Sequence, residues 1–161
     1  MKHTLLITFI LCSFFGSSQS FNFIQKRKIR SNIEKIHNSQ FLINHHEKAS
    51  FKIESKPAEK LISIGKPATS KLIEALSNPN KVIVAHLILC NIYLGKATFA
   101  GPKEFTADSV TYNKYFLGEM SSQGLIISET KKKNEYNVFI VPKDQEDIIN
   151  YWKRKTEKKK N

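Results

Sequence analysis

The first periodic pattern of apolar residues along the chain begins at Ile29. Ile33, Ile36 and Phe41 continue it, and charged residues stand between them. Side chains three and four residues apart lie on the same face of a helix, so the pattern predicts an amphipathic helix that continues toward Phe41. The polar stretch 44–50 that follows predicts a loop.

Two shorter helices are predicted next, each with its own start and stop signals. Ser55 is a suitable N-cap for the first, and Gly65 is a suitable stop. Pro67 suits the first turn of the second helix, because a first-turn N–H has no partner within the helix. The Asn-Pro-Asn sequence at 78–80 ends that second helix.

The run 82–94 is apolar on nearly every side. An all-round apolar segment predicts a helix buried in the centre of the fold. The run is too short to span a membrane, which takes roughly 20 residues. Its β-branched start, from Val82 to Val84, leaves a buried strand as an alternative.

The pattern changes in the last third of the chain. The stretch 96–111 is rich in small polar residues and predicts a loop. A β-hairpin is predicted from 124–128 and 136–141, because a polar turn separates these two apolar runs. A closing helix is predicted over 144–155. The sequence therefore predicts an α+β fold, with N-terminal helices followed by a β-hairpin and a C-terminal helix.

A local motif lies within residues 55–95. It consists of Ile64-Gly65-Lys66-Pro67-Ala68, then Leu72-Ile73-Glu74-Ala75-Leu76, then Asn78-Pro79-Asn80. This segment resembles a HEAT-like repeat of the phycobilisome-lyase type, with Ile83-Val84 in place of the usual Val-Arg pair. The resemblance implies one pair of helices joined by a short Asn/Asp turn, in a family whose repeats usually serve as protein-interaction scaffolds. No second copy is visible, and an extended solenoid needs about three repeats.

The first twenty residues have the pattern of a secretory signal peptide. A short polar start is followed by the apolar run 5–15, and Ser18 and Ser20 stand at the −3 and −1 positions for cleavage before Phe21. The sequence therefore predicts an exported protein, periplasmic or extracellular. A retained membrane anchor is the alternative, but the apolar run is too short to span a bilayer.

Cysteine usage agrees with that prediction. A lipoprotein signal needs a small residue before the modified cysteine, and Leu11 stands before Cys12. Removal of the signal peptide takes Cys12 away and leaves Cys90 as the only cysteine. A single thiol cannot form an internal disulfide, so the fold must depend on its hydrophobic core.

Length and charge limit the classes of protein. The chain has 161 residues, a length that excludes a large multidomain enzyme. Its formal net charge of +12 favours anionic partners. The predicted organisation is a signal peptide (1–20), a helical HEAT-like part (21–96), and a hairpin-plus-helix part (97–161) packed on it, with a basic tail at 153–161.

Basic residues form three clusters, at 26–30, 131–133 and 153–160. Aromatic residues lie near the last two, so the predicted binding residues are Lys131, Lys132, Lys133, Trp152, Lys153, Arg154 and Lys155. Lysines interleaved with aromatic rings can bind nucleic acid. An exported protein rarely meets a nucleic-acid target, and Tyr136 and Trp152 are also needed to pack a small core. The clusters are therefore predicted to be solvated charge, with contact to an acidic protein or an anionic surface as the alternative.

Candidate catalytic and metal-binding residues form incomplete sets. His86 and Cys90 have the spacing of two metal ligands on one helix face, but two ligands make only half of a tetrahedral site. The cluster His45-His46-Glu47, with His37 upstream, lacks the spacing of zinc peptidases and predicts a solvated loop. No nucleophile elbow is present. We therefore predict no metal, no cofactor and no catalytic residue.

The leading functional hypothesis is an exported basic protein that binds a protein or an anionic polymer without catalysis. The first alternative is a hydrolase-like enzyme with scattered catalytic residues, for which a pocket joining His86 to Glu74 or Glu104 would be the sign. The second alternative is a structural protein of the cell envelope. The sequence does not specify the oligomeric state.

Overall fold

The computed structural model of the chain describes residues 23–45, 49–107, 110–118, 124–132 and 135–157. The predicted signal peptide, His46, Glu47 and Lys133 lie outside the described residues, as do residues 158–161 of the basic tail. In the part that is described, no helix is both long and apolar enough to cross a membrane.

Helices and strands are both well represented, which confirms the predicted α+β class. The elements are, in order, α1 (23–35), β1 (Phe41–Asn44), β2 (Ser50–Ile53), α2 (Lys56–Ile64), α3 (Thr69–Ala75), α4 (Val82–Leu94), β3 (Thr98–Ala107), β4 (Val110–Gly118), β5 (Gly124–Lys132), β6 (Glu135–Phe139) and α5 (Pro142–Glu157). Short 3₁₀ helices at Asn38–Gln40 and Lys66–Ala68 precede β1 and α3.

The strands form two antiparallel sheets. β1 and β2 make a separate hairpin, and β3, β4, β5 and β6 form a four-stranded sheet in sequence order. The predicted hairpin is confirmed as β5 and β6, which pair with Ser128 opposite Phe139.

Among its described residues, the predicted loop 44–50 contains strand residues only at its two ends, whereas strands occupy much of the predicted loop 96–111, and that second prediction is wrong. In the second, Gly101-Pro102 reads as a loop signal but lies inside β3, where the register with β4 shifts between Ala100 and Lys103. β3 is an edge strand, and a proline is tolerated at an irregularity on an edge because no ladder hydrogen bond is lost there. In the first, the polar residues 44–50 include the ends of both strands of a small hairpin.

The first predicted helix is displaced toward the N-terminus. α1 ends at residue 35, and Phe41 belongs to β1 instead of to the helix. The Nζ atom of Lys81 donates hydrogen bonds to the carbonyl oxygens of Ile33 (2.8 Å) and Glu34 (3.2 Å). A cation from another part of the fold therefore caps the last turn of α1, which no local pattern indicates.

The start and stop signals of α2 are confirmed. The Ser55 hydroxyl accepts a hydrogen bond from the Ala58 N–H at 3.2 Å, as an N-cap does. Gly65 follows the helix with a φ of 73°, a conformation that glycine adopts without strain. Pro67 lies in the 3₁₀ turn before α3, and α3 itself begins at Thr69.

α4 is the central element of the core, as predicted. Its residues from Val82 to Cys90 are all buried, and it contacts α2, α3 and β4. The alternative of a buried strand is wrong, because neighbours surround this segment on several sides and only a helix directs its side chains all round its axis.

α5 covers a further side of the core. It packs on α3 and β5, and its residues Ile148 and Trp152 are buried. The Gln145 side chain donates a hydrogen bond to the Leu76 carbonyl at 2.6 Å, which ties the start of α5 to the end of α3. The predicted closing helix is confirmed and begins at Pro142, a favourable first residue for a helix.

Candidate functional site

His86 lies in the centre of the core, where three elements meet. Its Nε2 atom is 2.9 Å from the Leu117 carbonyl oxygen in β4, and its Nδ1 atom is 3.0 Å from the indole Nε1 of Trp152 in α5. The Cys90 sulfur lies 3.5 Å from Nε2. The sequence pairs His86 with Cys90 correctly, but it does not indicate the carbonyl or the indole.

These partners assign one neutral form to the His86 ring. A carbonyl oxygen only accepts, so Nε2 carries the proton; an indole N–H only donates, so Nδ1 accepts. Burial lowers the pKa of His86 from 6.5 to about 4, although the hydrogen bond to Leu117 acts in the opposite direction. The Nδ1 lone pair is already engaged by Trp152, so the His86 ring joins α4, β4 and α5 instead of presenting a free nitrogen to a ligand.

A second polar cluster joins the β1–β2 hairpin to the four-stranded sheet. Glu129 of β5 is 1% exposed, and its carboxylate accepts a hydrogen bond from the Tyr115 hydroxyl at 3.0 Å and lies 3.2 Å from His45 Nε2. Burial raises the pKa of Tyr115, and Glu129 raises it further, so the phenol stays a donor. The His45 ring also stacks on Tyr136 at 4.3 Å.

His45 follows β1, lies outside any strand or helix and is exposed, as the predicted loop requires, but the sequence did not indicate its contact with Glu129. The side chain of His45 is 33% exposed, and its pairing with a buried carboxylate gives it a fixed place. Sequence reasoning missed Glu129 and Tyr115, because acid and phenol residues in a strand give no local sign of burial. A carboxylate that orients a histidine is one part of many catalytic sites, but here the tyrosine and the histidine both serve to satisfy a buried charge.

Glu129→Gln is expected to lower the free energy of unfolding by about 1–3 kcal/mol, because the buried charge that receives both partners is lost. Urea denaturation at neutral pH measures this change. Glu54→Gln is the matched control, since Glu54 pairs with Lys52 on the surface with both side chains about 60% exposed, and such pairs contribute little. Equal effects of the two substitutions would contradict the assigned role of Glu129.

The structure disperses the predicted binding residues of α5. Lys153 is exposed in a cleft of about 530 Å³ that also holds Lys66 and Glu157. Arg154 lines a different cavity, in which the carboxylates of Asp144 and Asp147 offset its charge. Consecutive residues on a helix point in directions about 100° apart. A run of cations in the sequence is therefore not one basic surface.

Trp152 and Lys155, the other predicted binding residues of α5, do not form an exposed aromatic and basic site with Lys153 and Arg154. Trp152 is fully buried, and Lys155 donates a hydrogen bond to the Tyr151 hydroxyl at 2.7 Å. The backbone of Lys131 and Lys132 lies in β5, opposite Tyr136 and Glu135.

One face of the large sheet carries half-buried aromatic residues beside a lysine. Lys114 lies 4.4 Å from the centre of the Phe105 ring, and Tyr112 contacts Phe139 edge to face at 5.9 Å. Burial raises the pKa of Asp144, while the nearby Lys114 acts in the opposite direction. Because an acidic residue lies within the field of Lys114, this face carries less positive charge than its lysines indicate.

A strongly basic concave surface lies elsewhere, between α1 and α2. This groove has a volume of about 660 Å³, which is within the range of roughly 300–1,000 Å³ for small-molecule sites. Its described lining from α1 is Phe23, Ile24, Arg27, Lys28, Ser31, Asn32 and Lys35, and its lining from α2 is Lys60, Ser63 and Ile64. We call it the basic groove.

Helical spacing explains why α1 can line the basic groove and also join the core. The groove-lining residues follow two rows, each with steps of four residues, so they share one side of the helix. Ile29 is buried on another side, and Ile33 packs against the core. The same apolar period that predicts α1 therefore positions the cationic side outward.

The electrostatics of the basic groove are one-sided. Four of its described lining residues are cations: Arg27, Lys28, Lys35 and Lys60. None of the described residues that line the groove is acidic. Glu34 and Glu59 belong to the same two helices but do not line it. Cations that line a concavity raise the positive potential inside it and attract anions.

Only part of the basic groove has a sign in the sequence. The cluster 26–30 marks α1 as basic, but Lys60 lies in a different helix, and its proximity to that cluster depends on how α1 and α2 pack.

No family model, no curated protein and no solved structure matches this chain.

Proposed function

We propose that this chain is an exported binding protein that holds an anionic partner in the basic groove. The observation that carries the proposal is the charge of the groove: four lysine and arginine side chains line it, and none of its described lining residues is acidic. A site of this kind attracts anions without any catalytic group.

Two features of the sequence support the proposal. The pattern of residues 1–20 favours export, and cleavage before Phe21 would place a new α-amino group two residues from Phe23, close in sequence to the groove. The resemblance of residues 55–95 to a HEAT-like repeat favours binding, because such repeats usually serve as interaction scaffolds. α2, which forms one wall of the groove, lies in that segment.

The surroundings of His86 give no support to the enzyme alternative. His86 is held by a carbonyl, an indole and a thiol. Glu74 is exposed and pairs with Lys71, and Glu104 is exposed in β3. The structure therefore does not bring these carboxylates to His86, and binding remains the function that we propose.

A salt titration on dextran sulfate resin tests the proposal. The wild-type protein is expected to be retained at low salt and released as salt rises, because screening weakens contacts between exposed charges. The double variant Arg27→Gln/Lys28→Gln is expected to bind roughly tenfold more weakly at low salt, since each lost ion contact contributes up to ~1 kcal/mol.

The control variant Lys96→Gln/Lys103→Gln has the same net charge as the groove variant. Both control lysines are exposed and do not line the basic groove, so we expect retention close to that of the wild type. If the two double variants elute together, net charge alone accounts for retention and the groove is not the site.

A further inference from the structure

The basic groove also exposes apolar residues. Phe23 is 68% exposed and Ile24 is 51% exposed, the two highest values for large hydrophobic residues in the described part of the chain. Ile64 of α2 lines the same groove. Exposed apolar residues gathered in a concave surface are a sign of ligand binding, whereas single ones are common on any protein.

In α1, the apolar residues that line the groove stand at the start of the helix, and the cationic ones follow them. Arg27 follows Phe23 by four residues, and Lys28 follows Ile24 by four, so each cation lies one helical turn beyond an apolar side chain. Lys35 lies two further turns along the same side. A ligand along this groove thus meets an apolar end first and a cationic stretch next.

We infer that the basic groove binds a single-chain anionic amphiphile, such as a fatty acid, with its hydrocarbon chain against Phe23, Ile24 and Ile64 and its anionic head among Arg27, Lys28 and Lys60. The inference rests on the proposed function, since it names the chemical class of the anionic partner. A purely charged polymer would not need the exposed apolar residues of the groove, and a neutral lipid would not need its cations. An anionic amphiphile uses both.

The form of the site favours one amphiphile over a membrane surface. A bilayer needs a convex or flat apolar face that enters the headgroup layer, whereas these residues line a groove between two helices. The volume of about 660 Å³ is that of a small-molecule site. Lys60 stands on the opposite wall from Arg27, so the head can be held from two sides.

Calorimetric titration of the full chain with oleate tests the inference. We expect one oleate per chain, a Kd on the order of tens of micromolar, and a negative heat-capacity change from the burial of apolar surface. Butyrate, an anion with a very short chain, and monoolein, a neutral single-chain lipid, are each expected to bind at least tenfold more weakly. Vesicles that contain anionic phosphatidylglycerol attract any basic protein, but they are expected to bind more weakly than oleate.

Two variants separate this inference from the proposed function. Phe23→Ser/Ile24→Ser is expected to weaken oleate binding roughly tenfold or more while retention on dextran sulfate stays unchanged. Arg27→Gln/Lys28→Gln is expected to weaken both. The matched apolar control is Leu42→Ser/Val141→Ser, at exposed positions outside the groove, and it is expected to change neither.

The outcomes are distinguishable. Oleate and butyrate affinities that are equal, an unaffected Phe23→Ser/Ile24→Ser variant, or vesicle binding stronger than oleate binding would each overturn the amphiphile while leaving the anionic groove in place. Absence of any oleate binding would do the same. If Arg27→Gln/Lys28→Gln changes neither retention nor oleate binding, the proposed function fails along with the inference.

Discussion

Trp152→Ala is expected to lower the free energy of unfolding by about 3–5 kcal/mol, the usual cost of removing a large buried aromatic side chain. Trp152 is fully buried, and its ring contacts Tyr93 and Tyr151 at centroid distances of 5.7 and 5.1 Å. The substitution leaves a cavity and also removes the donor to His86 Nδ1. Trp152 is the only tryptophan in the chain, so urea denaturation must be followed by far-UV circular dichroism.

The variant Trp152→Phe separates the two contributions. It keeps much of the buried ring but leaves His86 Nδ1 without its donor, which costs about 1–3 kcal/mol. Phe105→Ala is the matched control, since that aromatic ring is about half exposed. A destabilisation of Trp152→Ala no greater than that of Phe105→Ala would contradict the place given to Trp152 in the core.

Acidification is expected to destabilise the fold through His86 by about 3 kcal/mol between pH 6.5 and pH 4. Burial lowers the pKa of His86 to about 4 in the folded protein, against 6.5 in the unfolded chain. Below pH 6.5 the unfolded chain therefore binds a proton that the folded protein does not. The contribution of neutral His86 to the free energy of unfolding is fully present above pH 6.5, falls as the pH drops, and is lost once the pH passes below about 4.

Denaturant midpoints measured across this range test the assignment. His86→Gln is expected to be less stable at neutral pH and to show a shallower fall in stability between pH 6.5 and 4, because its side chain does not titrate there. His37→Gln is the matched control at an exposed histidine and is expected to keep the wild-type pH dependence. A His86→Gln profile parallel to that of the wild type would contradict the assignment.

The elements that could be predicted from sequence are those whose signals are local. Ser55 and Gly65 delimit α2 by their own chemistry, and the apolar run 82–94 indicates a buried helix without reference to anything else. β3 could not be predicted in this way, because Gly101-Pro102 has the local pattern of a turn. The strand exists because β4 pairs with it, and strand pairing joins residues that are distant along the chain.

The candidate site was less predictable than the fold, for a related reason. The basic groove needs Lys60 and Arg27 in one place, and that placement depends on the packing of α1 against α2. The run from Lys153 to Lys155 had the stronger sequence signal, yet the helix turns its members toward different surroundings. The number of charged residues can be counted in a sequence, but only the packing of the helices determines which surface each charge faces.

The position of α5 in the chain also bears on how the molecule is assembled. α5 comes after every helix and strand on which it packs, and it brings Trp152 to His86. Before α5 has been synthesised, the side of α4 that faces Trp152 is uncovered. His86 then has the Leu117 carbonyl as a partner but lacks the donor to its Nδ1 atom. We therefore expect the native packing around His86 to be completed only after α5 has been synthesised.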